Sequence, residues 1–165
     1  MPMVQHSLTV FVALLASLGF VVVLVGSSPA SAGPSYTDRM ESSVIRSTNN
    51  KRVERGRKAV RGNECIDRMA ESWARHLAQA NTLTHRKLGR VLSQCNRSYV
   101  SENLAKYPVS PGMTAADVAR GTVKAWMQSA GHRHNLLSFK PRVIGLGVAK
   151  DANGKNWFIV QNFAR

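Results

Sequence analysis

The chain has 165 residues, 23 of them Lys or Arg against 9 Asp or Glu, for a formal net charge of +14 at pH 7. That length argues against several large domains and fits one with a substantial core. The charge points to acidic partners, which outside a cell are anionic wall polymers, lipid headgroups or nucleic acid, and it says nothing about the fold.

The first 32 residues carry no Lys, Arg, Asp or Glu, and residues 8–25 are almost wholly apolar ahead of "GSSPASA". This is the outline of a secretory signal peptide over 1–32, with Ala30 and Ala32 as the small residues before the cut. Retention as an anchor is the alternative, because about 18 apolar residues can span a bilayer. In both cases the rest of the chain is expected to be extracellular. With the signal removed, no stable membrane insertion is expected.

Residues 33–42 read as a short N-terminal segment without periodicity. A first helix is expected over 43–55, where Val44, Ile45, Thr48 and Arg52 recur at helical spacing and Gly56 offers a stop. The basic run "KRVERGRKAVR" at 51–61 has no interleaved aromatic and no binding motif. It reads as a solvated helix face and loop, and no specific nucleic-acid partner is expected. The next helix, "NECIDRMAESWARHLAQA", carries an apolar stripe of Ile66, Met69, Ala70, Trp73, Leu77 and Ala80. Asn63 is its N-cap, Glu64 and Asp67 are its first-turn acids, and His76 lies off the stripe on the surface.

No period is sustained from Thr82 to Pro111, so a long ordered loop is expected there, holding His85 and Glu102. Cys65 and Cys95 are the only cysteines of the chain. In an exported protein they are expected to be joined, which contributes on the order of 3–4 kcal/mol and argues against a cysteine nucleophile. A further helix, "TAADVARGTVKAWMQ", begins at a Thr114 cap with Asp117 three residues on, and Gly131 is expected to end it. Two strands follow, 142–149 and 156–164, around "KDANGK", where Asn153 and Gly154 signal a hairpin because both accept positive φ. Gly145 and Gly147 share one face of the first strand and leave room for close packing. The order of elements suggests an α+β fold in which helices cover an antiparallel sheet.

His85 and His132 stand where loops meet periodic elements, and Glu102 is the carboxylate of the long loop. Two imidazoles and one carboxylate can hold zinc with a fourth position open to water, although no compact pair such as HExxH is present. Residue chemistry alone favours structural roles: His85 capping the preceding helix, Glu102 accepting from loop amides, His132 binding the last carbonyls of the Trp126 helix, and Arg133 and His134 exposed.

In order along the chain, Asn49, Arg52 and Gly56, "AESWARHLA", "LTH", "ENLA", "AWMQSAGHRHNLL", "IGLGVA" and "WFIVQNF" resemble the CAP superfamily of cysteine-rich secretory, antigen 5 and pathogenesis-related proteins, in its secreted bacterial form. The resemblance implies an α-β-α sandwich over 43–165 with a central cleft, in which two histidines and two acids bind a divalent metal in some members. His85, Glu102 and His132 match three of the four. The second acid falls near Gln128 or Ser129, neither of which carries a carboxylate, and Ser101 replaces a usual glycine. Arg133, His134 and Asn135 are expected to anchor the link from the Trp126 helix to the sheet. The resulting expectation is a secreted, non-enzymatic cleft protein that binds a ligand or a cell-envelope component, with an anionic envelope polymer or a lipid as partner. The alternative is a divalent-metal-dependent hydrolase, with zinc as cofactor on His85, Glu102 and His132. No G-x-S-x-G nucleophile motif is present.

Overall fold

Helix α1 runs from Tyr36 to Val53, so the segment at 33–42 is largely its first turns and not a separate entry piece. The cause is a reciprocal cap: Ser35 Oγ accepts from the Asp38 amide and the Asp38 carboxylate accepts from the Ser35 amide. The structure, a computed structural model, describes residues 33–165; the expected signal at 1–32 lies outside the described residues. Strand β1 is only Arg61–Gly62, and α2 covers Glu64–Ala80 under the expected Asn63 cap. The buried side of α2 is Ile66, Ala70, Ala74, Leu77 and Ala78, turned from the expected stripe toward its alanines.

The stretch expected as a loop contains a short helix, α3 (Gly89–Gln94), and a nine-residue strand, β2 (Val100–Pro108). Glu102 therefore stands on a strand. Its alternation is masked in the sequence because inward positions 102 and 103 are polar and partnered. Helix α4 (Ala115–Gln128) has the expected Thr114–Asp117 cap. It does not end at Gly131: the backbone turns extended at Ser129, and a new helix, α5 (Ala130–Leu137), starts at once and contains both Gly131 and His132. Strands β3 (Val143–Lys150) and β4 (Asn156–Ala164) close the chain. In their hairpin only Gly154 has positive φ, at 72°; Asn153 does not. The turn is held by Asp151, whose Oδ1 accepts from the Lys155 and Asn156 amides at 2.8 and 3.0 Å.

The sheet order is β1-β3-β4-β2, antiparallel except for the short parallel pair β1–β3. Alternation along β4 divides the core. Trp157, Ile159 and Phe163 pack with Met40 and Val44 of α1, Val123 and Trp126 of α4 and Leu136 of α5, whereas Phe158 and Val160 pack with Ala70, Ala74 and Leu77 of α2. The architecture is thus the expected α-β-α sandwich, with α2 on one face and α1, α4 and α5 on the other. Residues 33–165 form a compact unit. All three buried clusters lie within it, as does the Cys65–Cys95 disulfide, so this unit carries what it needs to fold on its own. Among the described residues no helix is long and apolar enough to cross a membrane.

Candidate functional site

Glu102 sits on the α2 face of β2 with its side chain 1% exposed. A buried carboxylate needs compensation, and it has three partners. His85 Nδ1 lies 3.0 Å from Oε1, Arg86 Nε donates to Oε2 at 3.2 Å, and Asn162 Nδ2 donates to Oε2 at 3.1 Å. Because an ionised carboxylate only accepts, Nδ1 of His85 carries the proton and Nε2 is the nitrogen left for a ligand. Arg86 is itself fixed, donating to Asn162 Oδ1 at 2.7 Å and to the Met69 carbonyl at 2.9 Å. Burial lowers the pKa of this guanidinium while Glu102 raises it. His85 does not cap α2, whose end is closed by Asn81 in a left-handed conformation.

On the other face, buried amides tie the helices to the sheet. Gln161 Nε2 donates to Thr48 Oγ1 at 2.9 Å, Asn103 Nδ2 to Gln161 Oε1 at 3.0 Å, and Asn135 Nδ2 to Asn103 Oδ1 at 3.0 Å. Asn135 Nδ2 also reaches the Glu102 carbonyl at 3.1 Å, and Asn103 Nδ2 reaches the His132 carbonyl at 3.3 Å. These bonds lay α5 along β2 and carry His132 to the strand that holds Glu102. Asn135 and Arg133 anchor α5 as expected, Arg133 through its bond to the Met127 carbonyl at 2.9 Å, while His134 stays exposed. The His132 ring lies 6.4 Å from that of Trp126. Burial, and then the charge of His85, lower the pKa of His132. Both effects favour the neutral form of the His132 ring, and the second places it within electrostatic range of His85.

The fold thus gathers His85 and Glu102 into contact and brings His132 into electrostatic range of them. Among the described residues, however, no group of three or more His, Cys, Asp or Glu stands together as a metal cluster. Both oxygens of Glu102 accept hydrogen bonds, Oε1 from His85 and Oε2 from Arg86 and Asn162, which holds the carboxylate behind the His85 ring. A concavity of about 670 Å³ lies between α1 and α4 and has no histidine in its lining.

Residue-by-residue reading missed Arg86, Asn103, Gln161 and Asn162 at this site. The available signals were a cation directly after His85 and two adjacent amides, "QN", in an otherwise apolar strand. Arg52 belongs both to the helical stripe of Val44 and Thr48 and to the basic run expected to be solvated, and the stripe prevails. Arg52 is 1% exposed and donates to the carbonyls of Lys58, Leu136 and Ser138 at 2.9, 2.8 and 3.1 Å. Asn49 pairs with both backbone groups of Val60 at 2.9 Å.

Comparison with known proteins agrees with this fold. The profile described as CAP, cysteine-rich secretory protein family, matches residues 45–163. The uncharacterized protein YkwD of Bacillus subtilis is 25% identical over 133 residues, which is 79% of this chain and 50% of the relative; the chain spans about half the length of the curated relative it matches. Two solved structures share the fold. One is an extracellular protein containing a SCP domain from Bacillus anthracis, with TM-score 0.64 and 22% identity over 78% of this chain and 41% of that one. The other is an outer surface protein from Borrelia burgdorferi, with TM-score 0.63 and 20% identity over 80% and 96%. The profile match spans every element from within α1 to the end of β4, and on it the chain belongs to the CAP, or cysteine-rich secretory protein, family.

Proposed function

We propose that the chain is a secreted protein of the cell envelope whose cleft, between His85 and His132 over β2, binds a ligand without transforming it. One observation carries this reading: Glu102, the carboxylate beside His85, is held at both oxygens by His85, Arg86 and Asn162, so it is committed to positioning its neighbours and is not poised as a free base. Gln128 and Ser129 supply no second acid. Secretion is supported by residues 1–32 and by likeness to proteins called extracellular and outer surface. The +14 charge suits an anionic polymer or lipid of the envelope.

The test is turnover of a peptide and ester panel by residues 33–165, beside a His85→Ala, His132→Ala double variant, with and without zinc. No difference between the two proteins is expected. Turnover that disappears in the double variant would establish a hydrolase and overturn the reading.

A second reading, zinc held by the two imidazoles, is favoured by the carboxylate on His85 Nδ1, an arrangement that raises the basicity of the other ring nitrogen. Calorimetric titration of zinc decides it. Stoichiometric binding lost in the double variant supports the site, and equal heats from both proteins remove it.

A further inference from the structure

We propose that the turn between α5 and β3 is a docking site for an anionic lipid bilayer, with Phe139 entering the headgroup layer and the surrounding cations engaging lipid phosphates. Phe139 is 70% exposed, more than Val53 at 61% or Leu83 at 46%. A single exposed apolar side chain needs no explanation, but this one is clamped and ringed by charge. The backbone beneath it is fixed by arginines: Arg52 donates to the Ser138 carbonyl at 3.1 Å, Arg57 Nε to the Leu137 carbonyl at 2.7 Å, and Arg142 to the Phe139 carbonyl at 3.2 Å. The Arg57 guanidinium lies over the Phe139 ring at 3.7 Å.

Phe139 lines two concavities. One, of about 580 Å³, includes Arg57, Arg133, His134 and Lys140; the other, of about 260 Å³, includes Arg57, Lys58 and Arg142. No carboxylate lines either. Among the described residues none of Arg57, Lys58, Arg133, Lys140 and Arg142 takes part in an ion pair. Five cations without a counter-charge call for an anionic partner. A dissolved phosphate polymer would use the charges and leave the ring in water, whereas a bilayer interface accepts both. This inference rests on the envelope location proposed above but not on the histidine cleft.

The experiment is co-sedimentation of residues 33–165 with vesicles of phosphatidylglycerol mixed with phosphatidylcholine, and with phosphatidylcholine alone. Binding only to the anionic vesicles is expected. It should weaken about five- to tenfold in Phe139→Ser, from partial loss of one buried aromatic. It should be lost in a Lys58→Glu, Lys140→Glu variant, with thermal unfolding of both variants like that of the parent. The His85→Ala, His132→Ala protein should bind vesicles as the parent does, so failure of the cleft reading leaves this result untouched. Vesicle binding unchanged by Phe139→Ser would mean charge attraction alone and overturns the proposal. Retention on immobilised polyphosphate without vesicle binding would also overturn it, in favour of a polymer.

Discussion

A methyl group on Gly147 would fall 2.2 Å from the Glu71 amide nitrogen, and one on Gly145 would fall 2.3 Å from the Ile66 carbonyl carbon. The backbone of α2 therefore rests directly on β3, with Ala70 and Ala74 keeping the helix close. Gly147→Ala should cost about 2–4 kcal/mol through overpacking against backbone that cannot yield. Gly131→Ala is the control, since nothing lies within 4 Å of it; in helix α5 it should be neutral or gain up to about 1 kcal/mol. Urea unfolding of the pair checks both. A second residue-scale effect is at Glu41, whose Oε1 accepts from the Val148 amide at 3.0 Å. Burial, then the charges of Glu71, Asp67 and Asp38, raise its pKa to about 7 from the usual 4.5. A raised carboxyl favours the fold while protonated. Its contribution is full below about pH 4.5 and is lost as pH rises through about 7. Glu41→Gln keeps the acceptor for Val148 and removes the titration. Melting followed from pH 5 to 8 should show the variant gaining on the parent as pH rises, by on the order of 1–2 kcal/mol after solvent screening.

Helix α5 shows what an element needs when its own sequence is weak. It has eight residues and no side-chain N-cap, too few to persist alone in water. Its stability comes from outside: Leu136 is fully buried in the core, Asn135 bonds to β2, and Arg52 and Arg57 donate to the carbonyls at its C-terminal end. Arg52→Met would keep the apolar bulk against Phe163 and leave buried carbonyls unpaired, for a loss of about 2–4 kcal/mol. Because α5 carries His132, the same variant should also weaken any ligand of the cleft. The strand edges are handled likewise. Asp67 and Glu41 accept from the Leu146 and Val148 amides of β3, while Trp126 and Asn135 donate to the Leu104 and Glu102 carbonyls of β2. Both edges are thereby made poor templates for another strand.

For the whole molecule, the Cys65–Cys95 bridge joins the start of α2 to the end of α3, closing a separation of 30 residues. It secures the peripheral cluster of Ile66, Val91 and Ala164, which is small beside the cluster under α1 and α4. Replacing both cysteines by serine should lower stability by about 3 kcal/mol and Tm by about 10 °C, and a reducing agent should do the same to the parent in calorimetry. The fold should survive, because the main cores do not include the bridge.

The sequence by itself determined the features that local chemistry controls: the Asn63 and Thr114 caps, the α2 and α4 periods, the closing hairpin, the disulfide pair and, through the order of its motifs, the family and its sandwich. It also marked Gly145 and Gly147 as a place of close approach. Only the tertiary structure decided the role of each polar group. Glu102 read as a loop acid because its strand is polar at the positions that face inward, and nothing local says that Arg86 and Asn162 are its partners across 16 and 60 residues. Arg52 stood both on the periodic stripe of α1 and in a basic run read as solvated; it is buried because Leu136 and Ser138, 84 and 86 residues away, need donors. Periodicity and capping act within a few residues, whereas compensation of buried charge and of unpaired backbone is settled by whatever the folded chain brings alongside.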